Sequence, residues 1–368
     1  MSKIEDLIKQ YCPNGCEWKR LGDTSLFRIS RGVVISKSYI AEHHGQYPVY
    51  SSQTENDGCL GCIDTYAIDG ERITWTTDGA KAGTVFYRSG KYNITNVCGM
   101  IECVSSDISC KYVSYVFGVE APKFVNKAMG NCKLMSNVVE NILIPVPHIA
   151  VQDEIVRILD KFTELEKELE KELELRRKQY EFYRDELLTF GDDVERERLG
   201  DVTNVCRGKR VVKRELSNSV GHPVYQNSLS ILGYYMDSNY PANTSFVIGA
   251  GAAGEIGYSL TDFWAADDCF PIICKGMLLD RFVFYFLMQN QAVLKSKVRK
   301  ASIPRLSRDE IENLIIPIPS PTEQERIVKI LDKFDTLTTS LTSGLPAEIK
   351  LRKQQYEYYR DYLFGLLN

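Results

Sequence analysis

No stretch of the 368-residue chain approaches the 18 or so consecutive apolar residues that would cross a bilayer. The opening Met1-Ser2-Lys3-Ile4-Glu5-Asp6 is polar and has no secretory core. No membrane partner is expected, and the expected location is cytoplasmic. Histidine is scarce: His43, His44, His148 and His222 have no spacing that suits a metal or a catalytic pair. There is no Asp/Asn-Pro-Pro-Tyr/Phe motif of amino-methylating enzymes and no Walker A lysine loop. The chain is therefore expected to carry no catalytic residue and no cofactor of its own. The 11 cysteines are odd in number and scattered, which reads as reduced thiols. Cys12 and Cys16 with Cys59 and Cys62 could supply four zinc ligands. Their long separation is unlike common zinc spacings and the second half has no equivalents, so no metal site is expected.

The chain does have an internal repeat. Gln152-Asp153-Glu154-Ile155-Val156-Arg157-Ile158-Leu159-Asp160-Lys161-Phe162 returns as Gln324-Glu325-Arg326-Ile327-Val328-Lys329-Ile330-Leu331-Asp332-Lys333-Phe334. Leu175-Arg176-Arg177-Lys178-Gln179-Tyr180-Glu181-Phe182-Tyr183-Arg184-Asp185 returns as 351–361, and between the two blocks the second copy has gained four residues. The unit is about half the chain, so this is a fused dimer and not a solenoid.

Residues 150–190 read as a long helix. Ile155, Leu159, Phe162, Leu169, Leu173, Tyr180, Tyr183 and Leu187 fall on alternating three- and four-residue steps, missed at Glu166 and Arg176. The second copy repeats the stripe through Ile327, Leu331, Phe334, Leu341, Leu345, Ile349, Tyr356, Tyr359 and Leu363, with a break expected near Ser343-Gly344-Leu345-Pro346. Two matched stripes predict two helices packed as an antiparallel coiled coil. Leu165-Glu166-Lys167-Glu168-Leu169-Glu170-Lys171-Glu172 is a tandem tetrad, each copy adding one turn, about 6 Å.

Each helix is preceded by a Pro-punctuated strand, 142–147 and 314–319. Upstream of each lie about 120 residues of mixed character with matched landmarks: Leu21-Gly22-Asp23 with Leu199-Gly200-Asp201, and Tyr47-Pro48-Val49-Tyr50 with His222-Pro223-Val224-Tyr225. Strands are predicted over 72–76 and 83–87, and short buried helices over 112–117 and 282–288. The fold class is α+β: two globular modules of mixed α/β character joined by two long helices, with a pseudo-two-fold repeat. The expected division is 1–150, 151–194, 195–320 and 321–368.

The net charge of −4 argues against nucleic acid until its distribution is seen. Residues 151–195 hold 8 Lys/Arg against 15 Asp/Glu, while 196–320 hold 15 against 12. The acidity lies on one helix, and the modules are free to touch phosphate.

This arrangement resembles the specificity (S) subunits of type I restriction–modification systems. The resemblance rests on the Leu-Gly-Asp module starts, the Ile-Pro-x-Pro strand ends, the two repeated helix motifs and the lead-in Tyr11-Cys12-Pro13-Asn14-Gly15-Cys16-Glu17-Trp18. It implies a non-catalytic chain with two target-recognition domains, each reading part of a split double-stranded DNA site. It also implies helices that set the gap and dock two methyltransferase (M) subunits. S-adenosylmethionine, ATP and Mg2+ would belong to the M and restriction (R) partners. A type IIB-like enzyme, with methylation and nuclease on one partner, would use a similar chain.

The family varies most inside its recognition domains, so DNA contacts must be argued from chemistry. Arg207, Lys209, Arg210, Lys213 and Arg214 form the densest basic cluster, and Gly208 among them would let the backbone approach phosphate. The first-module equivalents are Arg31 and Lys37. Gln226-Asn227-Ser228 and Ser51-Ser52-Gln53 occupy matching loop positions, and amides such as those of Gln226, Asn227 and Gln53 pair with adenine edges. Lys297, Arg299, Lys300 and Arg305 precede the last strand as Lys133 does in the first half; Lys81 completes the set. Ile155, Leu159, Phe162, Leu169, Leu173, Tyr180, Tyr183, Ile327, Leu331, Phe334, Tyr356 and Tyr359 are the expected helix-pairing and partner-docking residues.

Gly249-Ala250-Gly251-Ala252-Ala253-Gly254 fits the GxGxxG pattern of nucleotide-cofactor enzymes. Residues 255–260 alternate like a strand, and the matching loop 78–83 lacks the pattern. A glycine-rich turn is the favoured reading and a cofactor enzyme the alternative.

Overall fold

A computed structural model describes residues 3–127, 131–276, 278–340 and 342–367. The chain divides into two compact units, Met1–Lys167 with Leu351–Asn368, and Glu168–Lys350. Each unit combines a module with stretches of long helix, so the helices are not bodies of their own.

Unit 1 contains β1 (Glu17–Arg20), β2 (Phe27–Arg31), β3 (His44–Tyr50), β4 (Cys59–Ile63), β5 (Ile68–Asp69), β6 (Arg72–Thr76), β7 (Val85–Arg88), β8 (Lys91–Ile94), β9 (Cys98–Cys103) and β10 (Leu143–Val146). Its sheets are ordered β2-β9-β6-β7, β4-β3-β8-β5 and β1-β10. Unit 2 contains β11 (Arg196–Arg198), β12 (Thr203–Val205), β13 (His222–Tyr225), β14 (Gly233–Tyr235), β15 (Thr244–Ile248), β16 (Ile256–Ser259), β17 (Trp264–Ala265), β18 (Cys269–Cys274) and β19 (Ile315–Pro317). Its sheets are β12-β18-β15-β16, β14-β13-β17 and β11-β19. Apart from β5, the two topologies are the same. The parallel pair joining Tyr50 to Ile94 recurs as Tyr225 to Ala265. The repeat therefore extends through modules whose sequences have drifted apart.

β6 forms where β-branched and aromatic residues alternate, as expected. The strand expected over 83–87 is Val85–Arg88, because Gly83 has φ +84° and belongs to the turn. Trp75 of β6 is fully buried, donates from Nε1 to the Leu134 carbonyl (3.0 Å) and meets Phe117 edge-on at 5.9 Å. Truncating it would cost about 3–5 kcal/mol. The two short helices are Cys110–Glu120 and Asp280–Gln289; each buries most of its residues, as expected for a helix covered on several sides.

The central helix is unbroken over Ile149–Leu187. It holds no Gly or Pro and is rich in Leu, Glu, Lys and Arg, all good helix formers. The second copy is two helices, Pro321–Thr339 and Leu345–Gly365, with the added residues at the break. Ser320 caps the first by accepting from the Glu323 amide. Pro346 sits in the first turn of the second, where its missing N–H has no intrahelical partner to lose. Leu341 of the stripe lies outside the described residues.

The identical residues of the repeat clip each helix to its own module. Gln152 is fully buried; its Oε1 accepts from the Ser109 amide (2.9 Å), and its Nε2 donates to the carbonyls of Asp107 (2.9 Å) and Pro147 (2.8 Å). Gln324 accepts from the Leu279 amide (2.9 Å) and donates to the Pro319 carbonyl (2.9 Å). Asp160 receives Lys111 Nζ and the Tyr115 hydroxyl, both at 2.7 Å, and Asp332 receives Arg281 Nε (2.7 Å) and the Tyr285 hydroxyl (2.5 Å).

This corrects one expectation. Ile155 and Leu159 are fully buried in the unit 1 core, which also takes in Leu363 and Leu367 at the end of the second helix copy, and Ile327 and Leu331 lie in the unit 2 core with Leu188, so an outside partner cannot reach them. Aromatic residues further along add direct contacts between the helix copies. In unit 1 Phe162 stacks on Tyr359 (5.3 Å, 27°) and Glu166 pairs with Lys353 (3.1 Å), so these two segments run antiparallel. In unit 2 Phe334 stacks on Tyr183 (5.5 Å, 28°). The same Phe–Tyr pair is made twice with the copies exchanged. Tyr180 packs edge-on to Tyr285, and Tyr356 packs against the unit 1 core. Leu169 and Leu173 are half-buried and belong to neither core.

Candidate nucleic-acid interface

In unit 2 the loop 249–254 joins β15 to β16 and gathers three other loops around itself. The Gly249 amide donates to the Asp268 carbonyl (2.7 Å), Gly251 to Pro304 (3.1 Å) and Ala252 to Asn227 (2.9 Å), while Leu306 donates to the Gly249 carbonyl (2.8 Å). A strand comes directly after the loop, so the helix N-terminus that a dinucleotide phosphate needs is missing. The glycines serve as a clasp.

Around the clasp stands a rim of exposed polar side chains. Arg207 donates from Nε to the Asp267 carbonyl (3.3 Å), and Gln226 Nε2 lies 3.5 Å from Asp267 Oδ1. Asn227 is exposed beside them, and Arg299 and Arg305 pair through their backbones (2.8 Å). Lys209, Arg210, Lys213 and Arg214 are exposed on the adjoining segment, and Lys297 and Lys300 flank Arg299. These nine cations face solvent in the one module, a field suited to an anion array.

Among the described residues unit 1 repeats most of this clasp, without the bond to the loop at Ser52 that Asn227 makes in unit 2. The Thr77 amide donates to the Val97 carbonyl (3.2 Å), Leu134 to Thr77 (2.8 Å), and Lys133 exchanges backbone bonds with Asn126 (2.9 Å each). The Gly79 amide donates to Asn131 Oδ1 (3.1 Å). Arg31 is exposed at the rim, its Nε 3.3 Å from Ser136 Oγ, and Lys81 and Lys133 stand exposed on the clasp loops. Ser52 is half-buried next to Ser51, whose hydroxyl meets Thr95 at 3.0 Å. Lys37 begins a short helix, Lys37–Glu42, set apart in sequence from the clasp loops.

Two of the expected residues make backbone contacts within their own module. Gln53 donates one amide N–H to the Cys59 carbonyl at 2.5 Å, which orients the side chain within its loop. Gly208 is not there to admit phosphate. A Cβ at Gly208 would lie 1.9 Å from the Ala266 carbonyl oxygen, and one at Gly32 would lie 2.0 Å from that of Ile94. Both glycines let the chain cross its own neighbouring strand.

Those crossings fix the correspondence between the rims. The Val33 amide donates to Ile94 (3.2 Å) and the Lys209 amide to Ala265 (2.8 Å), and Ile94 and Ala265 are the equivalent partners of Tyr50 and Tyr225. Arg31 thus matches Arg207, Val33 and Val34 match Lys209 and Arg210, Ser52 matches Asn227, Asn96 matches Asp267, and Lys133 matches Arg305. Val33, Val34 and Asn96 do not stand out in the sequence; alignment of the repeat through Tyr50 and Tyr225 would have found them. Among the described residues no group of three or more His, Cys, Asp or Glu is placed to hold a metal ion. No helix among them is long and apolar enough to cross a membrane.

A family described as "Type I restriction modification DNA specificity domain" matches residues 13–175 and again 191–351. The chain belongs to this family. Its two specificity domains coincide with the two copies of the clasp. Among relatives of this specificity chain, a Mycoplasma pneumoniae protein provisionally named type I specificity subunit S.MpnORF507P is 31% identical over 91% of the chain and 94% of its own length. The Escherichia coli type I restriction enzyme EcoR124I/EcoR124II specificity subunit is 31% identical over 72% of each. The fold is shared with the crystal structure of a type I restriction–modification S subunit from M. genitalium (TM-score 0.63, 17% identity, 96% of each chain). Membership assigns the chain a role in DNA sequence specificity.

Proposed function

We propose that each module reads one half of a split, asymmetric duplex DNA site through its clasp rim. One observation carries this reading: the matched strands and shared clasp bonds occur twice and present different side chains at matched positions, such as Ser52 against Asn227 and Val33-Val34 against Lys209-Arg210. A common scaffold with two donor sets reads two different sequences. Most of the cations contact phosphate and position the module, and Asn227 and Gln226 offer amides to base edges.

Within each unit the same Phe–Tyr stack joins the two helix copies, which supports antiparallel pairing of the long helices. The helices set the gap between half-sites. Phe182 and Tyr358 occupy the same repeat position and are 64% and 68% exposed, which suits docking of two methyltransferase subunits. Methylation from S-adenosylmethionine and ATP-driven steps with Mg2+ belong to the M and R partners; this chain supplies the address.

The test is to co-express the chain with its methyltransferase partner and sequence the modified bases. The expected result is methylation at one bipartite motif with two unlike halves. A complex that methylates no DNA, or that methylates without sequence preference, overturns the proposal.

A further inference from the structure

The two rims agree at some positions and differ at others, and the difference is sharpest beside the shared arginine. After Arg207-Gly208 the second module exposes Lys209 and Arg210; after Arg31-Gly32 the first exposes Val33 and Val34, which are 64% and 78% accessible. Isolated surface valines are ordinary. These two are set apart by position and by rigidity. The Val33 amide is held by the Ile94 carbonyl, and its own carbonyl accepts from the Asn96 amide (2.9 Å). Neither side chain joins a core cluster of the module. A fixed backbone therefore holds two branched apolar side chains outward, next to Arg31, whose guanidinium also meets the exposed Met135.

We propose that Val33 and Val34 are specificity-determining residues that read thymine by its C5-methyl group in the major groove of the first half-site. This rests on the DNA-reading role above. Positions that are cationic in both modules, Arg31 with Arg207 and Lys133 with Arg305, hold the phosphate backbone, which is the same for every sequence. Positions that change character are the ones that can tell bases apart. Among base-edge groups only the thymine methyl is apolar, so it is the partner a valine pair selects. In the second module the same position spends Lys209 and Arg210 on phosphate or guanine, and its half-site need present no methyl there.

The test uses the full chain assembled with its methyltransferase and a duplex carrying the methylated motif. Each thymine of the first half-site is replaced in turn by deoxyuridine, which removes the methyl and leaves base pairing intact. With the native chain, at least one replacement is expected to weaken binding about fourfold, the value of one buried methyl group. V33A/V34A should bind the thymine duplex several-fold more weakly and become indifferent to that replacement. V33K/V34R, the second module's residues, should lose the response and steepen the salt dependence by about one unit per new phosphate contact. The inference is overturned if the native chain ignores deoxyuridine, if V33A/V34A responds as the native chain does, or if the first half-site contains no A·T pair. A complex with no preferred motif overturns the underlying reading instead.

Discussion

Replacing Gln152 with alanine should loosen the central helix from the first module. The side chain is fully buried and satisfies one amide, Ser109, and two carbonyls, Asp107 and Pro147. Alanine strands all three. A satisfied hydrogen bond is worth about 1 kcal/mol net, and a stranded buried group costs about 1–3 kcal/mol. Asp107 is exposed, so water can replace its lost donor. The Ser109 amide and the Pro147 carbonyl are left with the larger penalty, giving a loss of about 3 kcal/mol. Gln152→Glu keeps the acceptor for Ser109 but turns an oxygen toward two carbonyls, so it should be worse than alanine at neutral pH. Denaturant unfolding of the full chain reads the loss, and hydrogen exchange at the Ser109 amide localises it. A loss under about 1 kcal/mol, or a glutamate variant as stable as the native chain, would refute the clip.

Four further outcomes are expected. Gly208→Ala and Gly32→Ala force a Cβ against backbone carbonyls at 1.9 and 2.0 Å and should each cost about 3 kcal/mol or more in unfolding measurements. Glu154, buried between Lys3 and Arg157, has its carboxyl held down to about 2, first by its hydrogen bonds to Arg157 and despite burial. Its folded value lies below the unfolded one, so its contribution is full above about pH 4.5 and is lost as pH falls toward 2; in Glu154→Gln that part of the acid-stability curve should vanish. Changing Arg207, Lys209, Arg210, Lys213 and Arg214 to glutamine should flatten the dependence of log K on log salt by about 0.9 for each phosphate no longer neutralised, measured by anisotropy titration of the complex. Deleting Leu169–Glu172 removes about one helical turn, roughly 6 Å, and should shorten the methylated gap by one or two base pairs while both half-sites stay as they were.

The rims show where sequence reasoning reached and where it stopped. Arg207, Gln226, Asn227 and Arg305 were legible because basic and amide residues cluster between turn signals. Their assembly was not. Residues 207, 227, 267 and 305 meet only because main-chain hydrogen bonds of the 249–254 loop and its neighbours draw distant segments together, and those bonds leave no trace in side-chain pattern. Gln53 has the amide chemistry of a base reader, and its bond to the Cys59 carbonyl in the same loop is a pairing that composition does not record. Gly208 shows the same limit. A glycine admits any close approach, and only the fold says that what approaches is Ala266.

The repeat, the long helices, the break in the second copy and the absence of catalytic motifs are local or periodic properties, and the sequence determined them alone. Periodicity and breaker residues act over a turn or two of chain, so they survive without tertiary context. Tertiary structure decided what the repeat is for. Ile155 and Leu159 and their copies look from their spacing like a seam for another helix alone, yet the fold buries them in cores that the module shares with the other helix copy, while Gln152 and Asp160 and their copies clip each helix to its own module. A three- and four-residue stripe states that one face is buried; it does not state against what. That is settled by which surfaces are apolar and near once the chain has folded, and here they were the joined module together with the end of the other helix copy.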